Sequence, residues 1–355
     1  MTARPRSCSI AFDSQTEGIT VNHQMLVEVT RGDEVECVHA GSIAVVNAAG
    51  DLLYRAGDPH SVTFTRSTIK PFQAAPFLQA GGVQHFGLST RETALLCASH
   101  SGESMHVDTA QSILHKAGCS EHQLRCGCHV PMHYAVSDTL QTAEAKFTQL
   151  HHNCSGKHAG FLAYCVQHRL PLESYLDPAH RLQQEVRNSV AHFANMSPQD
   201  LKMGIDGCSA PNYAMPLSRL ALSYARLAQG EESDRYGSTL ATLRSAMTLH
   251  PELVSGTGRN DLAFMQTAPG DWVAKIGADG VQVIGVRSAG LGIALKIADG
   301  NMRALYTAAV SVLRQLDLVQ HAEKSPLAPW IRPHLSNYTG LHTGEVRAAF
   351  QLQKV

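Results

Sequence analysis

The chain carries no excess of charge of either sign, with 29 Lys and Arg against 30 Asp and Glu over 355 residues. Nucleic-acid binding draws on a basic surface that neutralises phosphates, and no long basic run supplies one. Long apolar runs are missing too. No stretch reaches the roughly eighteen residues of a membrane-crossing helix, and the N-terminal "MTARPRSCSIAFDSQTEG" lacks the apolar segment of a signal peptide. The expectation is a cytoplasmic protein. Cysteine is too thinly spread, nine residues in all, for a disulfide-stapled domain, so some are expected to be free thiolates available to a metal. No Pro/Ser-rich linker, internal repeat or low-complexity segment divides the chain, which is therefore read as one catalytic-sized domain over 1–355.

What is present falls into three regions. From Met25 to Phe64, "MLVEVTRG", "GSIAVVNAAGDLLYRAGD" and "SVTFT" alternate or run β-branched between Gly and Asp turns, as a strand meander does. A helical middle follows, in segments such as "TIKPFQAAPFLQAGG", "SGKHAGFLAYCVQH" and "PNYAMPLSRLALSYARLAQG". Near the C-terminal end "DWVAKIGADGVQVIGVRSAGLGIALKIADG" returns to strands, and Arg303 to Leu316 reads as a closing helix. The expected fold is α/β of the α+β type: a mainly antiparallel sheet built from both ends, with the helical middle packed on it.

"TFTRSTIKPFQAAPF" places Ser67 and Lys70 at i and i+3. If a helix begins at Ser67, their Cβ atoms stand roughly 5–6 Å apart. A serine hydroxyl attacks only when a base takes its proton, and a lysine serves as that base only when neutral, a form that burial favours. The plainer alternative is a capping Ser67 or Thr68 and a solvated Lys70. Two further segments weigh against it. "LLCASHSGE" delivers Ser99, His100 and Ser101 where an apolar run ends, and "WVAKIGADG" puts Lys275 on a strand just before Ile276 and Gly277. An S-x-x-K helix, a small polar motif and a K-x-G strand in this order resemble the layout of serine β-lactamases and penicillin-binding proteins, though neither S-D-N nor K-T-G is present.

A second constellation is rich in thiols. "HHNCSGKHAGF" holds Cys154, Lys157 and His158, and "GIDGCSAPNYAMP" holds Asp206 and Cys208. Both cysteines lie in turns leading into helices, where a thiol's pKa falls. Zinc chemistry alone selects Cys154, His158 and Cys208, because a lysine must first lose a proton to ligate. "RCGCHVPMHY" offers a further set, Cys126, Cys128, His129 and His133. Buried structural thiols are the alternative for all of these.

Taken together, "TRSTIKPFQA", "CASHSGE", "HNCSGKHAGF", "GIDGCSAPNYAMPL" and "AKIGADGV" resemble the asparaginase II family, the inducible thermolabile bacterial L-asparaginases with a serine β-lactamase/glutaminase-like fold. The likeness runs from about Val27 to Ala308 and departs at His152, where asparagine commonly stands. It implies hydrolysis of L-asparagine to L-aspartate and ammonia by two Ser-Lys tandems, Ser67 with Lys70 and Ser99 with Lys275. It implies a zinc ion on Cys154, Lys157 and Cys208, replacing His158 in the set that spacing favours, and a homodimer. Arg66 is the expected partner of the substrate carboxylate and Asp206 of its ammonium. Another serine amidohydrolase, a zinc-dependent hydrolase and a non-catalytic binding module remain the alternatives.

Overall fold

The computed structural model describes residues 22–138, 146–233 and 235–355. Its strands are β1 (Gln24–Arg31), β2 (Glu34–Asn47), β3 (Leu52–Ala56), β4 (Val62–Phe64), β5 (Lys202–Ile205), β6 (Pro211–Pro216), β7 (Trp272–Gly277), β8 (Val281–Val286), β9 (Leu291–Ile297), β10 (His334–Ser336), β11 (His342–Ala348) and β12 (Gln353–Lys354). The large sheet runs β10-β11-β1-β2-β9-β8-β7, with β3 between β2 and β12. Every pairing in it is antiparallel. Both ends of the chain meet at its centre, where β2 pairs with β9 from Gly41↔Ile297 to Asn47↔Leu291.

The sequence explains the central strands directly. β7 and β8 are buried at every position, Lys275 and Gln282 included, as largely apolar strands covered on both faces are. The Asp-Gly signal between them becomes a turn with Asp279 and Gly280 at φ 57° and 76°, where short polar residues and glycine are tolerated. The helix Leu217–Gln229 buries Leu217, Leu220, Ala221, Tyr224 and Ala228, an i, i+3, i+4, i+7 stripe, and packs on β8, β9 and β2. Contact is close because glycines face it. A Cβ on Gly292 would stand 1.9 Å from the Ala221 carbonyl oxygen, and one on Gly285 2.4 Å from that of Tyr224. The helix Met302–Gln315 corresponds to the expected closing helix and packs on β1, β9 and β11.

Two departures from the sequence reading matter. "PNYAMP" is not the start of a helix but strand β6, the middle of a separate three-stranded sheet β4-β6-β5. Its prolines bracket the strand, Pro211 as first residue and Pro216 as last, positions where a missing N–H costs a ladder little. The segment "SVTFT" therefore belongs to the small sheet rather than to the meander. Strands β10 to β12 also lay outside the pattern read from sequence, being short and partly exposed. Among the described residues no helix is long and apolar enough to cross a membrane.

Candidate functional site

Strand β4 delivers the chain to Thr65, whose amide and hydroxyl both donate to the Tyr213 carbonyl, at 3.0 and 2.8 Å. Arg66 then takes φ 50°, a left-handed conformation that a residue with a side chain holds only when its surroundings impose it. Asn212 of β6 imposes it. The Arg66 amide donates to Asn212 Oδ1 and Asn212 Nδ2 donates to the Arg66 carbonyl, each at 3.0 Å. Ser67 follows in a 3-10 turn, Arg66–Ile69, and the α-helix itself starts only at Lys70, running to Gln79 with Pro71 in its first turn. The serine and lysine expected on one α-helix thus stand on two elements, because the Arg66 kink and Pro71 delay the helix by a turn. Strand β7 runs alongside, and a Cβ on Gly277 would stand 2.8 Å from the Thr65 carbonyl. That approach accounts for the glycine of the K-x-G segment.

Ser67 is half-buried. Lys70 is wholly enclosed and donates to the Ala98 carbonyl, to Ser99 Oγ at 2.8 Å and to the Asn153 carbonyl at 3.4 Å. Lys275, equally enclosed, donates to the Ile276 carbonyl at 3.0 Å and to Asp261 Oδ2 at 3.4 Å. The hydrogen bond observed is Lys70 with Ser99, and none joins Lys70 to Ser67 or Lys275 to Ser99 among the described residues. Burial lowers the Lys275 amine to about 8, assisted by the positive charges of Lys70 and Arg259 and opposed by Asp261. Lys70 and Lys275 thus share one electrostatic neighbourhood. Arg259 donates to the Ser99 carbonyl and to that of Ser255.

Arg259 and Asp261 escaped the sequence reading. The available signal was "RND" opening the helix Asn260–Thr267, and a first-turn acid there is read first as a favourable helix-end charge. Only its complete burial marks it as something else.

Beside the turn, Arg66 donates from Nε to Asp206 Oδ1 at 2.8 Å and from its terminal nitrogen to Asp279. The two residues expected to hold opposite ends of a substrate hold each other. They line an open cavity of about 490 Å³ with Asn212, Asp279 and Lys296, so a plus-minus pair stands at a cavity lined by Arg66, the residue before Ser67.

The thiol cluster assembles at the start of the helix Ser155–Gln167, which Cys154 caps, and at the turn before β6, where Ser209 takes φ 67°. Lys157 Nζ donates to Cys208 Sγ at 3.0 Å and lies 5.6 Å from the Phe161 ring centre. A hydrogen bond with Cys154 and the Lys157 cation hold the Cys208 thiol far below its ordinary range against the pull of burial, while the same bond pushes Cys154 up. Burial disfavours the Lys157 ammonium, but the two sulfurs and Asp206 more than restore it. His158 Nδ1 is bonded to the Tyr175 hydroxyl at 2.7 Å. Among the described residues no three His, Cys, Asp or Glu side chains are arranged to hold a metal. That applies to Cys154, His158 and Cys208 as placed. It applies also to Cys126, Cys128, His129 and His133, where each cysteine sulfur, and each Nδ1 of the two histidines, pairs with a backbone carbonyl. The eight described cysteines are all free.

Curated proteins provide no match to the chain. Among solved structures it is similar to a β-lactamase of Mycobacterium bovis, at 14% identity over 78% of this chain and 94% of that one, TM-score 0.41. It is also similar to a penicillin-binding protein homologue of Caulobacter crescentus, at 14% identity over 76% and 92%, TM-score 0.37. Likenesses this remote carry no weight for function. The family comparison is of another kind: the match to L-asparaginase II spans residues 27–348, past the helix at which the visible motifs end and through β11, and on that extent the chain belongs to the L-asparaginase II family.

Proposed function

We propose that the protein is an L-asparaginase that hydrolyses the side-chain amide of L-asparagine through a serine ester, with residues 1–355 acting as one catalytic domain. Family membership supports a serine-type amidohydrolase. The observation that carries the finer reading is two wholly enclosed lysines gathered behind one accessible serine, since buried amines are costly without a chemical use.

In this reading Ser67 attacks, because Ser99 is only 4% exposed and already bound by Lys70. Lys70 takes the Ser67 proton, the Ser67 Oγ–carbon bond forms, and the same proton passes to the amide nitrogen as the carbon–nitrogen bond breaks and ammonia leaves. Water then cleaves the β-aspartyl ester, returning the proton to Ser67 and releasing aspartate. Ser99 keeps the Lys70 amine in place, and Lys275 supplies a positive charge in the same neighbourhood. The amides of Arg66 and Thr68 are bound to Asn212 and Thr65, so the Ser67 amide is assigned to the developing oxyanion. A zwitterionic substrate headgroup matches the Arg66–Asp206 pair, its carboxylate replacing Asp206 at Arg66 and its ammonium replacing Arg66 at Asp206.

The thiol cluster fits a zinc ion in its donor chemistry: Cys154 and Cys208 would hold it as thiolates, with Lys157, hydrogen-bonded to Cys208, as third donor once neutral. When bound, the metal would supply a fixed positive centre that orients substrate near the cavity. The family resemblance also carries a homodimer into this proposal.

The test is ammonia release from asparagine and from glutamine, with and without chelator. Turnover of asparagine that persists in part after chelation is expected. Its complete loss on chelation would move the chemistry to the metal, and its absence throughout would overturn the reading.

A further inference from the structure

The carboxylate beside Lys275 is as deeply enclosed as the lysine, both side chains being 0% exposed. Asp261 Oδ2 accepts from Lys275 Nζ at 3.4 Å and from the Ile276 amide at 2.9 Å. Its Oδ1 accepts from Gln282 Nε2 at 3.1 Å and from Asn260 Nδ2 at 3.3 Å. Asn260 in turn donates to Gln282 Oε1 at 2.7 Å. One carboxylate is thus fixed to β7 and β8 by donors from its own helix and from both strands. Two residues earlier Arg259 holds the Ser99 carbonyl, so a single turn of chain braces the second serine and the second lysine together.

We propose that Asp261 is a positioning residue for the hydrolysis: it holds the Lys275 side chain in one place and in its charged form, and Arg259 on the same turn holds Ser99 where Lys70 can reach it. The proposal rests on the amidohydrolase reading for its purpose, not for its geometry. A merely structural ion pair is the competing account. Buried pairs contribute little net stability, yet removing one partner strands the other, so a structural role predicts a less stable protein whose kcat/KM profile does not follow the Lys275 titration. The charged and titratable groups around Lys275 are Asp261, Lys70 and Arg259, with the Cys97 thiol near the two lysines and the Tyr224 and Tyr306 hydroxyls near Asp261. Asp261 is the sole negative influence on Lys275 in that set and raises the amine against burial. Its loss must therefore lower the amine further.

The experiment follows the lysine side-chain resonances of the full chain by NMR across pH, with the Lys275 signal assigned by its disappearance in K275M, and measures kcat/KM for asparagine over the same range. In the wild type the Lys275 midpoint is expected near 8. In D261N both that midpoint and the alkaline limb of kcat/KM are expected about 1–3 pH units lower, the effect of one opposite charge at close range. Q282M removes a donor from Asp261 while keeping its charge, and is expected to move the midpoint upward. An alkaline limb of kcat/KM that stays in place while the Lys275 midpoint moves in D261N, or in Q282M should D261N not fold, overturns the proposal, as does an unmoved midpoint. A wild type that turns over no asparagine refutes the hydrolase reading alone, because the titration still decides whether Asp261 governs Lys275.

Discussion

Ser67 and Lys70 are three positions apart, but their surroundings differ as much as any two neighbours in the site: the serine is half-buried on a 3-10 turn and the lysine is wholly enclosed against Ala98 and Ser99. That contrast shapes the residue-level predictions. K70M is expected to lower kcat for asparagine by about 10²–10⁴, the ordinary contribution of a positioned base, with the fold retained as judged by circular dichroism. S99A leaves Ser67 intact and is expected to lose less, and a loss as complete as that of S67A would assign the attack to Ser99. The pH dependence follows from Lys275. Its amine, lowered to about 8 from 10.5, is charged below that point and loses its proton as pH rises through it. Activity that needs the charge falls on the alkaline side of about 8, and a kcat/KM profile still rising at pH 9 would contradict the assignment. For the thiol cluster, C208S is expected to abolish zinc retention in metal analysis, since the remaining sulfur and amine make an incomplete site. Equal zinc in the variant and wild type would place any metal elsewhere.

At the scale of elements, the sequence disclosed the sheet and hid the joints. The largely apolar runs at β7 and β8, broken by Lys275 and Gln282, and the stripe on Leu217–Gln229 are signals that the fold repeats. "PNYAMP" misled because its apolar letters continue into a true helix, and only two-sided pairing with β4 and β5 makes it a strand. The four residues Ser67, Lys70, Ser99 and Lys275 were legible as motifs. Their partnerships were not, since Arg66 at positive φ and the late start of the helix at Lys70 depend on Asn212, 146 positions away. Asp261 was illegible for a related reason: a helix-opening acid looks the same in sequence whether it meets water or a buried lysine. Glycine at sheet–helix contacts yields a stability prediction. G292A forces a methyl onto the Ala221 carbonyl, closer than any real contact, and is expected to cost about 1–3 kcal/mol or more, read as a lower thermal midpoint. An unchanged midpoint would show that the Leu217–Gln229 helix is not seated as described.

The whole molecule ties its working parts to its ends. β2 from the first region carries β9 from the last, β11 pairs with β1 through Val27↔Ala348, and β12 reaches back to β3 at Gln353↔Arg55. Lys275 on β7 and the Ser67 turn from the opposite end of the sequence come together only when this sheet is complete. Non-local pairing of this kind forms slowly and cooperatively, so the site is expected to appear in one step with the fold. The extent of the family match through β11 agrees with a site that needs the closing strands. The measurement that bears most directly on all of this is ammonia release from L-asparagine by the wild type and S67A side by side at neutral pH. Steady release by the wild type and its near-complete loss in a folded S67A is the expected result; a wild type without release, or an S67A variant that retains most of it, would contradict the serine–lysine reading of the chain.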